Sequence, residues 1–152
     1  MLKYVDTLIA FSEIPKEVAL CINISGCRIH CKGCHSKYLW EDIGTPLTPK
    51  TLDDLILCSK GITCVCIMGG HNYKEIADLM KRIKVVYHLK TAWYTGEKLI
   101  NPFIMQNIRY FDYIKTGPYM EDKGPLNSPT TNQHFYHIVN CKLNDRTYWF
   151  WK

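Results

Sequence analysis

Residues 18–34 read VALCINISGCRIHCKGC and carry the most informative pattern in the chain. The stretch opens with an apolar run at 18–24, and a short apolar run bounded by turn residues predicts a buried strand. Ser25 and Gly26 close the run, and three cysteines follow within the next eight positions. The stretch therefore predicts a buried strand whose carboxyl end leads directly into a cysteine-rich loop.

The same pattern, an apolar run that stops at a glycine, recurs at residues 62–68, 90–94 and 110–115. With the first run, the four strand ends read ISG, MGG, YTG and KTG. In parallel sheets and barrels the ligand lies at the carboxyl ends of the strands, where backbone must approach it closely. One such glycine alone is an ordinary turn residue. Four of them at four strand ends predict a ligand site.

Helices are predicted between these strands. Thr48 followed by Pro49 predicts an N-cap with proline in the first helical position. Asn72 with Glu75 three residues later resembles a capping box. The residues after it keep the apolar i, i+3, i+4, i+7 spacing of a helix packed on a core, with Ile76, Leu79, Met80 and Ile83. Strands that alternate with helices imply parallel βαβ units, so the pattern predicts an α/β fold.

Length and composition favour one ordinary globular unit. The chain has 152 residues, which corresponds to about one domain, and we expect a single domain over residues 1–152. Hydrophobic residues at 47% and charged residues at 22% exclude collagen-like and disordered classes. The final segment, 134–152, is rich in aromatics and is predicted to form a hairpin around Asn144 and Asp145.

Charge and hydropathy also restrict the partners. The net charge is +5, but the basic residues are scattered, so we expect no nucleic-acid partner. Lys3, Asp6 and Glu13 interrupt any apolar stretch that a signal peptide would need, and no run approaches about 18 apolar residues. We therefore expect no membrane association and a cytoplasmic location. In a reducing compartment, grouped cysteines indicate metal binding or catalysis more often than disulfides.

Cys27, Cys31 and Cys34 have the spacing C-x3-C-x2-C. On a helix they would share one face, as an inert apolar stripe, but Gly26 and Gly33 argue for a loop around a metal. A zinc site usually has two C-x2-C clips, and the second clip is missing here. Three thiolates suit an iron-sulfur cluster in which one iron has no protein ligand. An open cluster is the favoured interpretation, and zinc and inert cysteines stay as alternatives.

The other five cysteines show no second clip of comparable spacing: Cys21, Cys58, Cys64, Cys66 and Cys141. Because cysteine is among the most buried residue types, Cys21, Cys64 and Cys66 are predicted to be buried free thiols. His30 lies between the first two cysteines of the C-x3-C-x2-C loop, and His35 directly follows the third. Each is interpreted as a neighbour of the site and not as a metal ligand.

C-x3-C-x2-C directly after the first predicted strand resembles the signature of the radical S-adenosylmethionine superfamily. Within it, the chain is similar to the family of anaerobic (class III) ribonucleotide reductase activating proteins. The similarity is carried by motifs between about residues 20 and 133, namely ISGCRIHCKGCHS, MGG at 68–70, WYTG at 93–96, DYIKTGPY at 112–119, GPL at 124–126 and Asn132-Gln133.

The resemblance implies a shortened, partial (β/α) barrel with a 4Fe-4S cluster at the strand ends. Cys27, Cys31 and Cys34 would ligate three irons, and S-adenosylmethionine would chelate the fourth. The implied cofactor-binding residues are Gly33, Cys34, His35, Gly69, Gly70, Thr95 and Gly96. The first three would border the adenosyl group, and the paired glycines would meet the methionyl amino group.

The resemblance also implies a reaction and partners. Reductive cleavage of S-adenosylmethionine would give a 5′-deoxyadenosyl radical, which would generate a glycyl radical on the anaerobic ribonucleotide reductase large subunit. A flavodoxin or ferredoxin-type protein would donate the electron. Two alternatives remain: a radical enzyme that acts on a different glycyl-radical enzyme or a small molecule, and a zinc-stabilised binding module.

Two positions depart from the pattern of the wider superfamily. An acidic residue commonly follows the glycine motif, but His71 stands there in this chain. The residue before the third cysteine is often aromatic, whereas this chain has Gly33, which activating proteins of this type tolerate. The sequence gives His71 no assigned role.

Overall fold

The fold is built on one mixed sheet of eight strands, seen in a computed structural model that describes residues 1–34 and 36–151. The strands are β1 (Lys3–Ala10), β2 (Ala19–Ile24), β3 (Thr45–Pro46), β4 (Cys64–Met68), β5 (Lys90–Tyr94), β6 (Tyr113–Thr116), β7 (His134–Val139) and β8 (Lys142–Asp145). Their spatial order is β3-β1-β2-β4-β5-β6-β7-β8.

The centre of the sheet is parallel, as the sequence predicts. Strands β2, β4, β5 and β6 run in the same direction and are paired in that order. All four predicted strands are confirmed, with the last shifted from 110–115 to Tyr113–Thr116. The flanking pairs are antiparallel, and they include β1, which the sequence pattern did not reveal. All four parallel strands therefore end at one edge of the sheet.

Three α-helices cross between the parallel strands: α1 (Pro49–Leu57), α2 (Tyr73–Tyr87) and α3 (Pro102–Gln106). Both predicted N-caps are confirmed, because Thr48 Oγ1 accepts from Thr51 N at 3.1 Å and Asn72 Oδ1 accepts from Glu75 N at 3.2 Å. The capping box is only half formed. The Glu75 carboxylate accepts from Leu2 N at 2.7 Å, so it ties the N-terminus of the chain to α2.

The two faces of the sheet are covered differently. On one face, Leu20, Ile22, Val65 and Ile67 of the parallel strands pack against helix side chains that include Ile76 and Met80 of α2. On the other face most strand residues are small, and they pack around two buried aromatic side chains, Tyr113 and Phe135. The small residues are Ala19, Cys21, Cys64, Cys66 and Ala92. Both faces are buried, which explains why the strands read as continuous apolar runs.

The C-terminal segment closes the face lined by small residues. The ring of Phe150 meets Phe135 edge-on at 4.9 Å between centroids, and Trp149 lies 6.3 Å from the same ring. The predicted hairpin is confirmed as β7 and β8, but its predicted turn is wrong. Asn140 and Cys141 form the turn with φ of 51° and 61°, because a tight hairpin turn needs left-handed backbone at both central residues.

The partial-barrel fold class stays a prediction. In the described part of the chain, no helix combines the length and apolar character that crossing a bilayer requires.

Candidate functional site

A cavity of about 240 Å³ lies at the carboxyl ends of the four parallel strands. Cys27, Cys31 and Cys34 all line it, although the second and third follow the first by four and seven positions along an irregular segment. The strand ends contribute Asn23, Ile24, Met68, Gly69, Tyr94, Thr95, Gly96 and Lys115. The cysteine loop and the glycine-terminated strands therefore share one site, as the sequence predicts.

The backbone of the cysteine loop turns repeatedly instead of forming a helix. Gly26, His30 and Gly33 have φ of 75°, 52° and 76°, a left-handed conformation that interrupts helical structure. Backbone hydrogen bonds fix the entry to the loop, with Cys27 N donating to Leu39 O at 2.8 Å. An inert cysteine stripe on a helix is therefore wrong for this segment.

Two of the loop sulfurs accept hydrogen bonds from the backbone. Tyr119 N lies 3.2 Å from the Sγ of Cys31, and Ser36 N lies 3.3 Å from the Sγ of Cys34. Such N–H donors stabilise negative charge on sulfur and tune the reduction potential of a cluster. The first contact spans 88 positions of sequence, so the segment after β6 reaches back over the loop.

The thiols share a cavity without surrounding one common point. Within residues 1–34 and 36–151, no three His, Cys, Asp or Glu side chains are grouped as a ready metal site. The cavity nevertheless fits a cluster by the chemistry of its donors, because three soft thiol ligands face one space.

The structure places the predicted cofactor-binding residues in different surroundings. Gly69, Thr95 and Gly96 line the cavity with the cysteines. Gly70 lines a neighbouring cavity of about 800 Å³, and a β-carbon on Gly33 would collide with the side chain of Glu121. His35 lies outside the described residues.

Gly96 shows why a glycine is required at a strand end here. A β-carbon at this position would lie 2.9 Å from Cγ1 of Ile29, inside the cysteine loop. Because real side chains do not approach so closely, the loop packs on bare backbone after β5. The YTG motif therefore sets how deeply the loop sits against the sheet.

His71 connects the cysteine loop to the strand ends. Its Nε2 accepts from Arg28 N at 3.2 Å, so Nδ1 carries the proton and donates to the carboxylate of Glu97 at 3.2 Å. The hydroxyl of Tyr73 donates to the same carboxylate, and burial together with this hydrogen bond raises the pKa of Tyr73 to about 12. Sequence reasoning missed Glu97, although it stands directly after the YTG motif.

Lys115 is the second residue that sequence reasoning missed. It lies on β6 within the KTG motif and lines the cavity beside Cys27 and Cys31. Burial lowers the pKa of its ammonium, while the nearby thiols of Cys31, Cys66 and Cys27 oppose that shift. A lysine inside a largely apolar strand was the available signal.

The strand cysteines behave as predicted. Cys21, Cys64 and Cys66 are buried, and Cys21 and Cys66 are direct partners in the pairing of β2 with β4. Burial raises the pKa of the Cys66 thiol, and a hydrogen bond with Cys21 acts in the same direction. Burial also raises the pKa of the Cys64 thiol, so Cys64 and Cys66 are held neutral within the sheet.

Comparison with known proteins gives two findings. The model of a family described as "4Fe-4S single cluster domain" matches residues 17–138. The anaerobic ribonucleoside-triphosphate reductase-activating proteins of Escherichia coli K12 and O157:H7 are each 29% identical to the chain over 132 residues. Each alignment covers 76% of this chain and 85% of the relative. The predicted resemblance to activating proteins of this type is confirmed.

Proposed function

The chain belongs to the 4Fe-4S single cluster domain family, and from that premise we propose that it activates an anaerobic ribonucleotide reductase. In this proposal the chain uses a 4Fe-4S cluster and S-adenosylmethionine to generate a glycyl radical on the reductase large subunit. The relatives named as reductase-activating proteins support the choice of partner. A flavodoxin or ferredoxin-type protein would supply the electron, in the cytoplasm.

One observation carries the proposal: the three cysteines of C-x3-C-x2-C line one cavity at the carboxyl ends of parallel strands. This is where α/β folds place their ligands, because loops and strand ends there converge from distant parts of the sequence. We extend the proposal to the fold class, a shortened partial (β/α) barrel that forms a single domain.

Cys27, Cys31 and Cys34 would hold the cluster through three irons and leave the fourth for S-adenosylmethionine. The chemistry that such a cluster supplies when bound is one-electron reductive cleavage of the sulfonium group. The protein's own part is to bind, orient and exclude water. Gly69 and Gly96 offer backbone without side chains in the cavity, and Thr95 is only 2% exposed at its edge.

Backbone N–H groups would donate hydrogen bonds to the cysteine sulfurs that hold the cluster. The N–H groups of Tyr119 and Ser36 already point at the sulfurs of Cys31 and Cys34. In a bound cluster each would donate to a ligating sulfur. The residues present therefore match the ligand chemistry of an iron-sulfur cluster better than that of a closed zinc site, which needs a fourth protein ligand.

The proposal is tested first on the protein alone. Anaerobic reconstitution should give about four iron and about four sulfide ions per chain. Reduction should produce a paramagnetic cluster whose electron paramagnetic resonance signal changes when S-adenosylmethionine is added. A colourless protein with stoichiometric zinc would contradict the proposal and favour a zinc-stabilised binding module.

The partner is tested second. The reduced protein, mixed with S-adenosylmethionine and an anaerobic ribonucleotide reductase large subunit, should produce the doublet signal of a glycyl radical. Cleavage of S-adenosylmethionine without that signal would favour a different glycyl-radical enzyme or a small molecule as the substrate.

A further inference from the structure

Lys115 occupies the wall between two cavities. It pairs with Tyr94 of β5 on one side and with Phe135 of β7 on the other, close to the carboxyl end of β6. Its side chain lines the cysteine cavity and also a second cavity of about 680 Å³ under the C-terminal segment. The ammonium is therefore carried on a central strand of the sheet and not on a mobile surface loop.

The charge of Lys115 lacks the carboxylate partner that Lys90 and Lys84 have. Lys90 on β5 lies 3.0 Å from the Glu17 carboxylate, and Lys84 at the end of α2 lies 2.6 Å from Asp112. Among the described residues, no carboxylate lies within ion-pair distance of Lys115 Nζ. The ring of Tyr94 lies nearby, with its centroid 5.6 Å from Nζ.

The groups around Lys115 identify what would balance its charge. Its electrostatic neighbours are the thiols of Cys31, Cys66 and Cys27, followed by the carboxylate of Glu13. Cys66 is fully buried and is held as a neutral thiol, and Glu13 is an exposed residue that lines the second cavity without an ion pair to Lys115 among the described contacts. Cys27 and Cys31 are the two neighbours that would become anionic on binding a cluster.

We propose that the Lys115 ammonium is the countercharge of the cysteine-ligated cluster and raises the reduction potential of that cluster. Burying an unpaired cation is costly, whereas a cation beside an anionic cluster is favourable. Reduction adds one electron from an external low-potential donor and makes the cluster more negative, so a fixed positive charge stabilises the reduced form more than the oxidised form. Lys115 acts through the cluster and is a positioning residue.

This inference rests on the proposed function, because it takes the cavity to hold a 4Fe-4S cluster. The test compares reconstituted wild-type protein with Lys115→Met, Lys115→Arg and the control Lys142→Met, a lysine on the exposed hairpin strand β8. Methionine keeps the length of the side chain without its charge, and arginine keeps the charge. The measurement is the midpoint potential of the cluster, without S-adenosylmethionine, by dye-mediated titration.

We expect Lys115→Met to lower the midpoint potential by about 59 mV, which is a tenfold change in a one-electron reduction equilibrium. Lys115→Arg should restore most of the loss, and Lys142→Met should match the wild type. An unchanged potential in Lys115→Met would overturn the inference. The inference is overturned in the same way if Lys115→Met weakens binding of S-adenosylmethionine but not of its decarboxylated analogue. The cation would then serve the substrate carboxylate and not the cluster.

Failure of this inference is distinguishable from failure of the proposed function. If wild-type protein assembles no 4Fe-4S cluster, the proposed function fails. If wild type and variant both assemble it with equal potentials, only the role of Lys115 fails. Should Lys115→Met fold poorly, Lys115→Gln compared with Lys115→Arg gives the same charge comparison, and thermal unfolding monitored by circular dichroism identifies that case.

Discussion

The loop cysteines and the strand cysteines are one residue type in two opposite environments. Cys27, Cys31 and Cys34 lie on irregular backbone, line a cavity and, at two of the three positions, accept backbone hydrogen bonds. Cys64 and Cys66 lie on a central strand, are 0% exposed and have raised pKa values because of burial. Exposure to the cavity at the strand ends, and not cysteine content, decides which thiols can become ligands.

Removing one thiol from each set should give the largest difference between the loop cysteines and the strand cysteines. We expect Cys31→Ala to abolish cluster assembly, since two cysteines cannot hold a four-iron cluster. Cys66→Ala should keep the cluster and cost on the order of 1 kcal/mol of stability, the scale of a small buried group. Iron and sulfide content and denaturant unfolding measure the two effects. An intact cluster in Cys31→Ala would remove the distinction between the sets.

The loop depends on tertiary contacts in a way that the strands do not, and His71→Ala should show this. The substitution removes the acceptor for Arg28 N–H and the link to Glu97, at a cost of about 1 kcal/mol for a typical hydrogen bond. Hydrogen exchange of the backbone amides at 27–34 should accelerate about fivefold. Amides of β2 and β4 should be unaffected.

The control for this variant is Asp78→Asn, which removes an exposed ion pair with Lys74 on α2. Exposed pairs of this kind contribute little, so exchange in the loop should not change. Equal acceleration in the loop and the strands of His71→Ala would mean that the histidine stabilises the whole fold and not the loop alone.

A further expected effect concerns pH and the strand thiols. Because burial raises the pKa of Cys66 and Cys64, the folded state keeps their protons at a pH where the unfolded chain releases them. Their contribution to stability is complete below the unfolded thiol pKa of about 8.5 and is lost as pH rises above it. The free energy of unfolding should fall there by up to about 1.4 kcal/mol per pH unit for each thiol.

Urea unfolding of the metal-free protein from pH 7 to pH 10 measures this slope. Cys66→Ala should make the decline shallower, while the neighbouring Val65→Ala should lower stability by the same amount at every pH. A slope that Cys66→Ala leaves unchanged would show that the buried thiols do not control alkaline unfolding.

Much of the scaffold was predictable because its signals are local. The apolar runs, the caps at Thr48 and Asn72 and the helical spacing of α2 all act within one turn or one strand. Strand β1 gave no such signal, since its residues 6–9 are exposed and Asp6 interrupts the apolar pattern. The hairpin turn was misplaced because Asn140-Cys141 and Asn144-Asp145 are both plausible turns, and only the pairing of β7 with β8 decides between them.

The candidate site likewise contains residues with a local sequence signal and residues identified only by their tertiary contacts. Spacing alone brings Cys27, Cys31 and Cys34 near one another, because eight residues of chain cannot separate them far. Glu97 and Lys115 carry no spacing signal, since each is a single charged residue in its segment. Their place in the candidate site became clear only when the fold brought the first beside His71 and the second beside the loop thiols.

Hydrophobic periodicity and residue spacing in the sequence were enough to define the local elements and the three candidate cysteines. Folding is what brings the strand ends, backbone donors and charges around those cysteines. Tyr119 N reaches the Sγ of Cys31 across 88 positions only because parallel strands return their carboxyl ends to one edge of the sheet. Contacts of that separation arise from packing, and no local pattern of residues encodes them.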